Sequence, residues 1–132
     1  MTHIKGVSLK AINILSLVQA YGSLGSDGYA KYLDHHGINI KNDEADDLSQ
    51  LVGGLCPLVN VGVFDDFFVS YRIPQIGKEF DLLRIGQECV VNLELKRSAS
   101  EGKVRRQLVR NNHYLSSLGK SVRCFSFVSD EE

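Results

Sequence analysis

Paired cysteine is what this chain lacks. Cys56, Cys89 and Cys124 lie far apart with no CxxC pair, which argues against a zinc knuckle or a disulfide framework. They read as reduced core residues. No run of 18 apolar residues occurs, so nothing in the sequence is long enough to span a bilayer as a helix. The opening stretch MTHIKGVSLKAINILSLVQA has one basic residue ahead of its apolar segment and no small-residue cleavage site. The expected location is therefore intracellular, in the cytoplasm, with no membrane partner. Arginine is missing from the first half of the chain altogether. No internal repeat, low-complexity tract or linker interrupts the sequence.

What remains is the composition of one ordinary globular domain: 132 residues, 43% hydrophobic and 23% charged. A chain of this size buries roughly two thirds of its unfolded surface, so its core needs no metal or disulfide staple. Any metal would serve chemistry. The net charge of -1 conceals an asymmetry: from Lys96 to Arg123 there are eight basic residues against a single acid, Glu101. A local surplus of this size attracts polyanions.

The first third reads as helical. SLKAINILSLVQAYGS places Leu9, Ile12, Leu15, Leu17 and Val18 near helical spacing, with Ser8 as N-cap and Gly22 as the end. A second helix fits SDGYAKYLDHHG, starting near Ser26 or Asp27 and stopping at Gly37. A third fits NDEADDLSQLVGGL, with acids in the first turn where the helix dipole favours them, and Gly53 and Gly54 breaking it. After Pro57 the period changes to two over Val59 to Ile73, then over Glu79–Ile85 and Cys89–Leu95, an antiparallel meander turning at Gly86 and Gln87. A helix over Glu101–Leu118 follows, with Val104, Leu108, Leu115 and Leu118 on one face and Gly119 as its stop. Ser121–Ser129 closes as a strand able to lie parallel to an earlier one across the helix. The order predicts a single α/β (α+β) domain: a helical part over 1–55 and a sheet-helix-strand core over 59–129.

The charged residues of this core fall in a pattern. Asp81 sits on one strand and Glu94 on the next, while Lys96 lies two residues beyond Glu94 on the same face. All three are set among apolar neighbours, where unpaired charge is costly. Two carboxylates converging from neighbouring strands suit Mg²⁺, which prefers oxygen ligands and keeps several waters. A bound cation lowers the pKa of water, and an ammonium beside it stabilises developing negative charge. Phosphodiester hydrolysis needs these parts.

The stretch IGKEFDLLRIGQECVVNLELKRS resembles the PD-(D/E)xK nuclease superfamily, whose signature is an acid on one strand followed by (D/E)xK on the next. Asp81 and Glu94-Leu95-Lys96 fit it, with Phe80 where the family's proline stands. Gln107 resembles the glutamine of the helix motif in the RecB-like branch; Tyr114 follows it at seven residues rather than the branch's usual spacing. The resemblance covers 59–129. It implies a restriction-endonuclease-like core, a mixed central β-sheet flanked by helices, and a Mg²⁺-dependent nuclease cutting DNA rather than RNA, with Mn²⁺ as a substitute. Asp81 and Glu94 would be metal ligands, Lys96 would polarise the attacking water, and Gln107 would organise the site. Glu44 would be the extra acid that members carry on an early helix, with Asp43, Asp46 and Asp47 as competitors. A helicase or other ATPase partner, or a homodimer, follows by the same analogy.

Lys103, Arg105, Arg106 and Arg110, with His113 and Tyr114, are the expected nucleic-acid contacts. The pair His35 and His36 fits a helix C-terminus as well as a metal. Tyr71 and the aromatics of FDDFF fit either base stacking or the core. Asp65 and Asp66 point to opposite faces, so at most one could join the site. A different class of function, a nuclease-fold module that binds or assembles without turnover, fits the same residues. A compact dimer through Phe64, Phe67 and Phe68 is a third reading.

Overall fold

The computed structural model describes residues 10–73 and 77–129. Their order is α1 (Ile14–Ser23), α2 (Gly25–His36), α3 (Asn42–Leu55), a 3-10 turn (Val61–Phe64), β1 (Phe67–Ile73), β2 (Lys78–Ile85), β3 (Cys89–Lys96), α4 (Glu101–Leu115), a second 3-10 turn (Ser116–Leu118) and β4 (Ser121–Val128).

The first helix starts later than its apolar spacing suggests, and Ser8 lies outside the described residues. Ile12 exchanges two backbone hydrogen bonds with Phe67, of 2.8 and 2.9 Å, which holds it extended. Asn13 is the cap, its Oδ1 accepting from the Ser16 N–H at 3.0 Å, and α1 then ends at Ser23, one residue past Gly22. Gly37 ends α2 in the left-handed region at φ 67°, a conformation open to glycine without a Cβ penalty. Gly53 and Gly54 do not break α3, which continues through both to Leu55. Burial of Leu48, Leu51 and Val52 outweighs the weak helix propensity of two glycines, and Pro57, which has no N–H, interrupts the ladder. The strand expected from Val59 begins only at Phe67, because the Asn60 side chain accepts from Gly62 N–H at 2.9 Å and winds 61–64 into a 3-10 turn.

The four strands form one mixed sheet in the order β1-β2-β3-β4, with the first two pairings antiparallel and β3-β4 parallel, as the strand-helix-strand order anticipates. Helices cover both faces. On one, Leu17, Leu48 and Val52 pack with Phe64, Phe67, Leu82 and Leu95. On the other, Leu115 of α4 packs with Phe80, Leu83 and Val90. Phe64 and Phe67 are thus core residues rather than a dimer surface, and Phe68 and Tyr71 pack on the α4 side. The inward stripe of α4 is Gln107, Asn111 and Leu115, rotated from the expected apolar stripe; Val104 and Leu108 are half-buried and Leu118 is 46% exposed beyond the helix end. Cys56, Cys89 and Cys124 are free thiols, all half-buried. No helix among the described residues is long and apolar enough to cross a membrane.

Candidate active site

The sheet opens at one point, and Asp81 occupies it. The β1-β2 register runs through Val69↔Leu82, resumes at Tyr71↔Phe80, and leaves Ser70 opposite Asp81 outside the ladder. Ser70 has φ 54°, an uncommon conformation for a residue with a Cβ. Side-chain alternation slips there on both strands. Phe80 and Leu83 share the α4 side although they are three residues apart, as do Phe68 and Tyr71. The β2-β3 register stops at Leu82↔Leu93. One step further the carboxylates replace backbone carbonyls: Asp81 N–H donates to Glu94 Oε2 at 3.1 Å, and Leu95 N–H donates to Asp81 Oδ2 at 2.9 Å. The strands part around an interlocked Asp81-Glu94 pair.

Glu94 is only 2% exposed. Besides Asp81 N–H, its Oε2 accepts from Asn92 Nδ2 at 2.8 Å, and its Oε1 accepts from Gln107 Nε2 at 3.3 Å. Burial, and after it the negative charge of Asp81, pushes the Glu94 carboxyl up to about 7, against the opposing pull of the Asn92 and Asp81 N–H hydrogen bonds and of Lys78. A carboxylate in that position is stabilised by any cation that arrives. Lys96 is half-buried, and its carbonyl accepts from Ser129 N–H at 2.8 Å and Ser129 Oγ at 3.3 Å, which ties the end of β3 to the end of β4.

Two clefts meet here. One, of about 340 Å³, is lined by Glu44, Glu79, Asp81 and Glu94, with Asn39, Lys41, Lys96 and Gln107. The other, of about 740 Å³, is lined by Lys96, Lys103, Arg106, Gln107 and Arg110 with Ser98 and Ser100, and by no acid. Lys96 and Gln107 border both. None of Lys96, Lys103, Arg106 and Arg110 has a salt-bridge partner among the described residues, whereas Arg97 pairs with Asp47 and Arg105 with Glu101. Unneutralised cations around a concave surface focus an attractive field for polyanions.

Compared with protein-family models, curated proteins and solved structures, the chain matches none.

Of the four early-helix acids, Glu44 alone lines the acidic cleft, its Oε1 accepting from Lys41 N–H at 3.1 Å. Asp43 caps Glu44 N–H, Asp46 accepts from Tyr21, and buried Asp47 is bound by Arg97 and Ser129. Three expected nucleic-acid contacts fall elsewhere. Arg105 faces Glu101, at 3.3 Å, outside both clefts. His113 and Tyr114 line a separate apolar cavity of about 470 Å³ with Tyr71 and Leu83. Tyr114 is two helical turns past Gln107, roughly 10 Å along α4, too far along the axis to share its site. Asp65 is bonded to Asn13, and neither it nor Asp66 borders the clefts.

No group of three or more His, Cys, Asp or Glu that could hold a metal occurs among the described residues, so Asp81 and Glu94 stand as a pair of carboxylates. That donor set fits Mg²⁺, which is commonly held by one or two carboxylates and completed by water and substrate phosphate, in a polar cleft with room for both. Sequence reasoning overlooked Asn92 and Asn111, both fully buried and joined at 2.8 Å. The signal was present: Asn92 interrupts the apolar strand CVVNLEL, and a polar residue buried there needs partners.

Proposed function

We propose that this chain is a metal-dependent nuclease of PD-(D/E)xK type, with a restriction-endonuclease-like core, that hydrolyses phosphodiester bonds of DNA. The observation that supports it most is the meeting of two opposite half-sites at Lys96 and Gln107: a carboxylate pair, buried Glu94 with half-buried Asp81, on one side and an acid-free basic cleft on the other. A fold-stabilising ion pair would not require the second.

In this reading Asp81 and Glu94 hold Mg²⁺, with Glu44 bordering the same space. The bound cation supplies Lewis acidity and a more acidic water. Lys96 contributes a compact ammonium that donates hydrogen bonds to the attacking water and to the phosphoryl oxygens as their charge grows. Gln107 keeps Glu94 Oε1 in place. Lys103, Arg106 and Arg110 hold the backbone phosphates flanking the scissile one, which fixes the attacked phosphorus against the carboxylate pair. Water oxygen bonds to phosphorus and gives up a proton to solvent, the bond to the leaving sugar oxygen breaks, and that oxygen takes up a proton from solvent.

The test is cleavage of labelled single-stranded and duplex DNA, with RNA alongside, in Mg²⁺, Mn²⁺ or EDTA. Asp81→Ala and Lys96→Ala should each lower the metal-dependent rate by at least about 100-fold, the scale of losing one transition-state donor, with the circular dichroism spectrum retained. Preferential cutting of RNA would reassign the substrate. A second reading, a nuclease-fold module that binds nucleic acid without turnover, is favoured by the absence of a third converging carboxylate among the described residues. It predicts metal-independent binding and no cutting in any condition.

A further inference from the structure

Both oxygens of Glu94 are held from α4, by two different routes. Gln107 reaches Oε1 directly, at 3.3 Å. Asn111, one turn further along the helix, reaches Oε2 through Asn92: Asn111 Nδ2 donates to Asn92 Oδ1 at 2.8 Å, and Asn92 Nδ2 donates to Glu94 Oε2 at 2.8 Å and to Leu82 O at 3.1 Å. The chemistry allows one polarity only. The Leu82 carbonyl, and Glu94 in the ionised form that would hold a cation, can only accept, so the Asn92 amide nitrogen must face them and its oxygen must face a donor. Asn111 is that donor. With it in place, a flip of Asn92 would set its oxygen against two acceptors.

The relay carries an energetic defect that a structural explanation does not account for. Asn111 is fully buried and its Oδ1 has no partner among the described residues. A buried polar atom left unsatisfied is destabilising, whereas replacing both members of such a pair by apolar groups of similar shape is close to neutral. Asn111 falls between Gln107 and Leu115 on the inward stripe of α4, a position where leucine would serve packing better. What the two amides achieve, and leucine would not, is a fixed carboxylate.

We propose that Asn92 and Asn111 are positioning residues: a buried amide relay through which α4 aims the Glu94 carboxylate at a divalent cation. The inference rests on the metal-dependent reading of the site. It also gives α4 two tasks at once, since Lys103, Arg106 and Arg110 border the basic cleft from the same helix.

The experiment uses the full chain and the double variant Asn92→Val/Asn111→Leu, which removes both partners while keeping the volume filled. Mn²⁺ binding without nucleic acid is followed by the paramagnetic resonance of free Mn²⁺, and the Mg²⁺ concentration for half-maximal cleavage is measured in parallel. The Mn²⁺ dissociation constant and the half-maximal Mg²⁺ concentration should both rise 10- to 100-fold, the range for loss of a group that orients a metal ligand. Oligonucleotide binding in EDTA should hold, and the melting temperature should fall no further than in Leu115→Ala, since the Leu82 carbonyl and Glu94 Oε2 each lose one donor. Leu115→Ala serves as the control, because it loosens the same helix without touching the relay; it should leave both metal readouts unchanged. If the double variant does not fold, Asn111→Leu alone replaces it against the same control. Wild-type metal affinity in the relay variant, or a loss no larger than that of Leu115→Ala, overturns the relay and spares the nuclease. A wild-type chain that neither binds Mn²⁺ nor cuts overturns the nuclease reading, and the relay's role with it.

Discussion

Glu94 concentrates the tension between stability and chemistry in one side chain. Its carboxyl is pushed up to about 7 from 4.5, chiefly by burial and then by Asp81. Between those two values the folded chain keeps a proton that the unfolded chain has released, so the stability of the metal-free protein falls as pH rises from about 4.5 to about 7. The loss is on the order of 3 kcal/mol across that window. Urea titrations at a series of pH values should show this slope. Glu94→Gln should flatten it, and so should saturating Mg²⁺, which replaces the proton as the neutralising charge. A slope unchanged by Glu94→Gln would place its origin elsewhere. At this scale the sequence was informative about residue type and silent about depth. Asp81, Glu94 and Lys96 are legible from spacing alone, but spacing does not reveal that Glu94 is the buried member or that two asparagines support it.

Among the elements, α4 is where helical periodicity misled. Its apolar residues suggest a stripe through Val104, Leu108, Leu115 and Leu118, yet the helix is docked by Gln107, Asn111 and Leu115, because the sheet presents Asn92 and Glu94 there and polar groups must meet polar groups. Leu115 is left as the main apolar anchor, 1% exposed against Val90, Leu83 and Phe80. Leu115→Ala should therefore cost about 2 to 5 kcal/mol in chemical denaturation, the usual range for a buried leucine. In α3 the misjudged feature points the other way. Gly53 lies within the helix with open space where a Cβ would stand, so Gly53→Ala should raise stability by roughly 0.5 to 1 kcal/mol. The strands after Ile73 were legible nearly to the residue because β-branched and aromatic runs are bounded there by glycine turns. The start of β1 was not, because Asn60 spends its side chain on a turn inside an apparently continuous strand pattern.

For the molecule as a whole, the net charge of -1 says less than the distribution of the cations. Arg97 and Arg105 are neutralised by Asp47 and Glu101, while Lys103, Arg106 and Arg110 border one cleft without such partners among the described residues. Duplex binding measured against salt should follow that division: Arg106→Ala or Arg110→Ala should each reduce the logarithmic slope by about 1, and Arg105→Ala should leave it unchanged. The parallel strand that completes the sheet has a further consequence, one of timing. Every β3-β4 pair, from Cys89↔Ser121 to Lys96↔Val128, joins residues thirty-two apart, while the β1-β2-β3 meander forms between neighbours in sequence. Closing the longer loop takes more chain entropy and belongs late in folding. Ser129, which clasps the Lys96 carbonyl and Asp47 together, reaches its place only when β4 has docked. A folding chain thus gathers its carboxylates before it secures its lysine, and completes the candidate site only with its last strand.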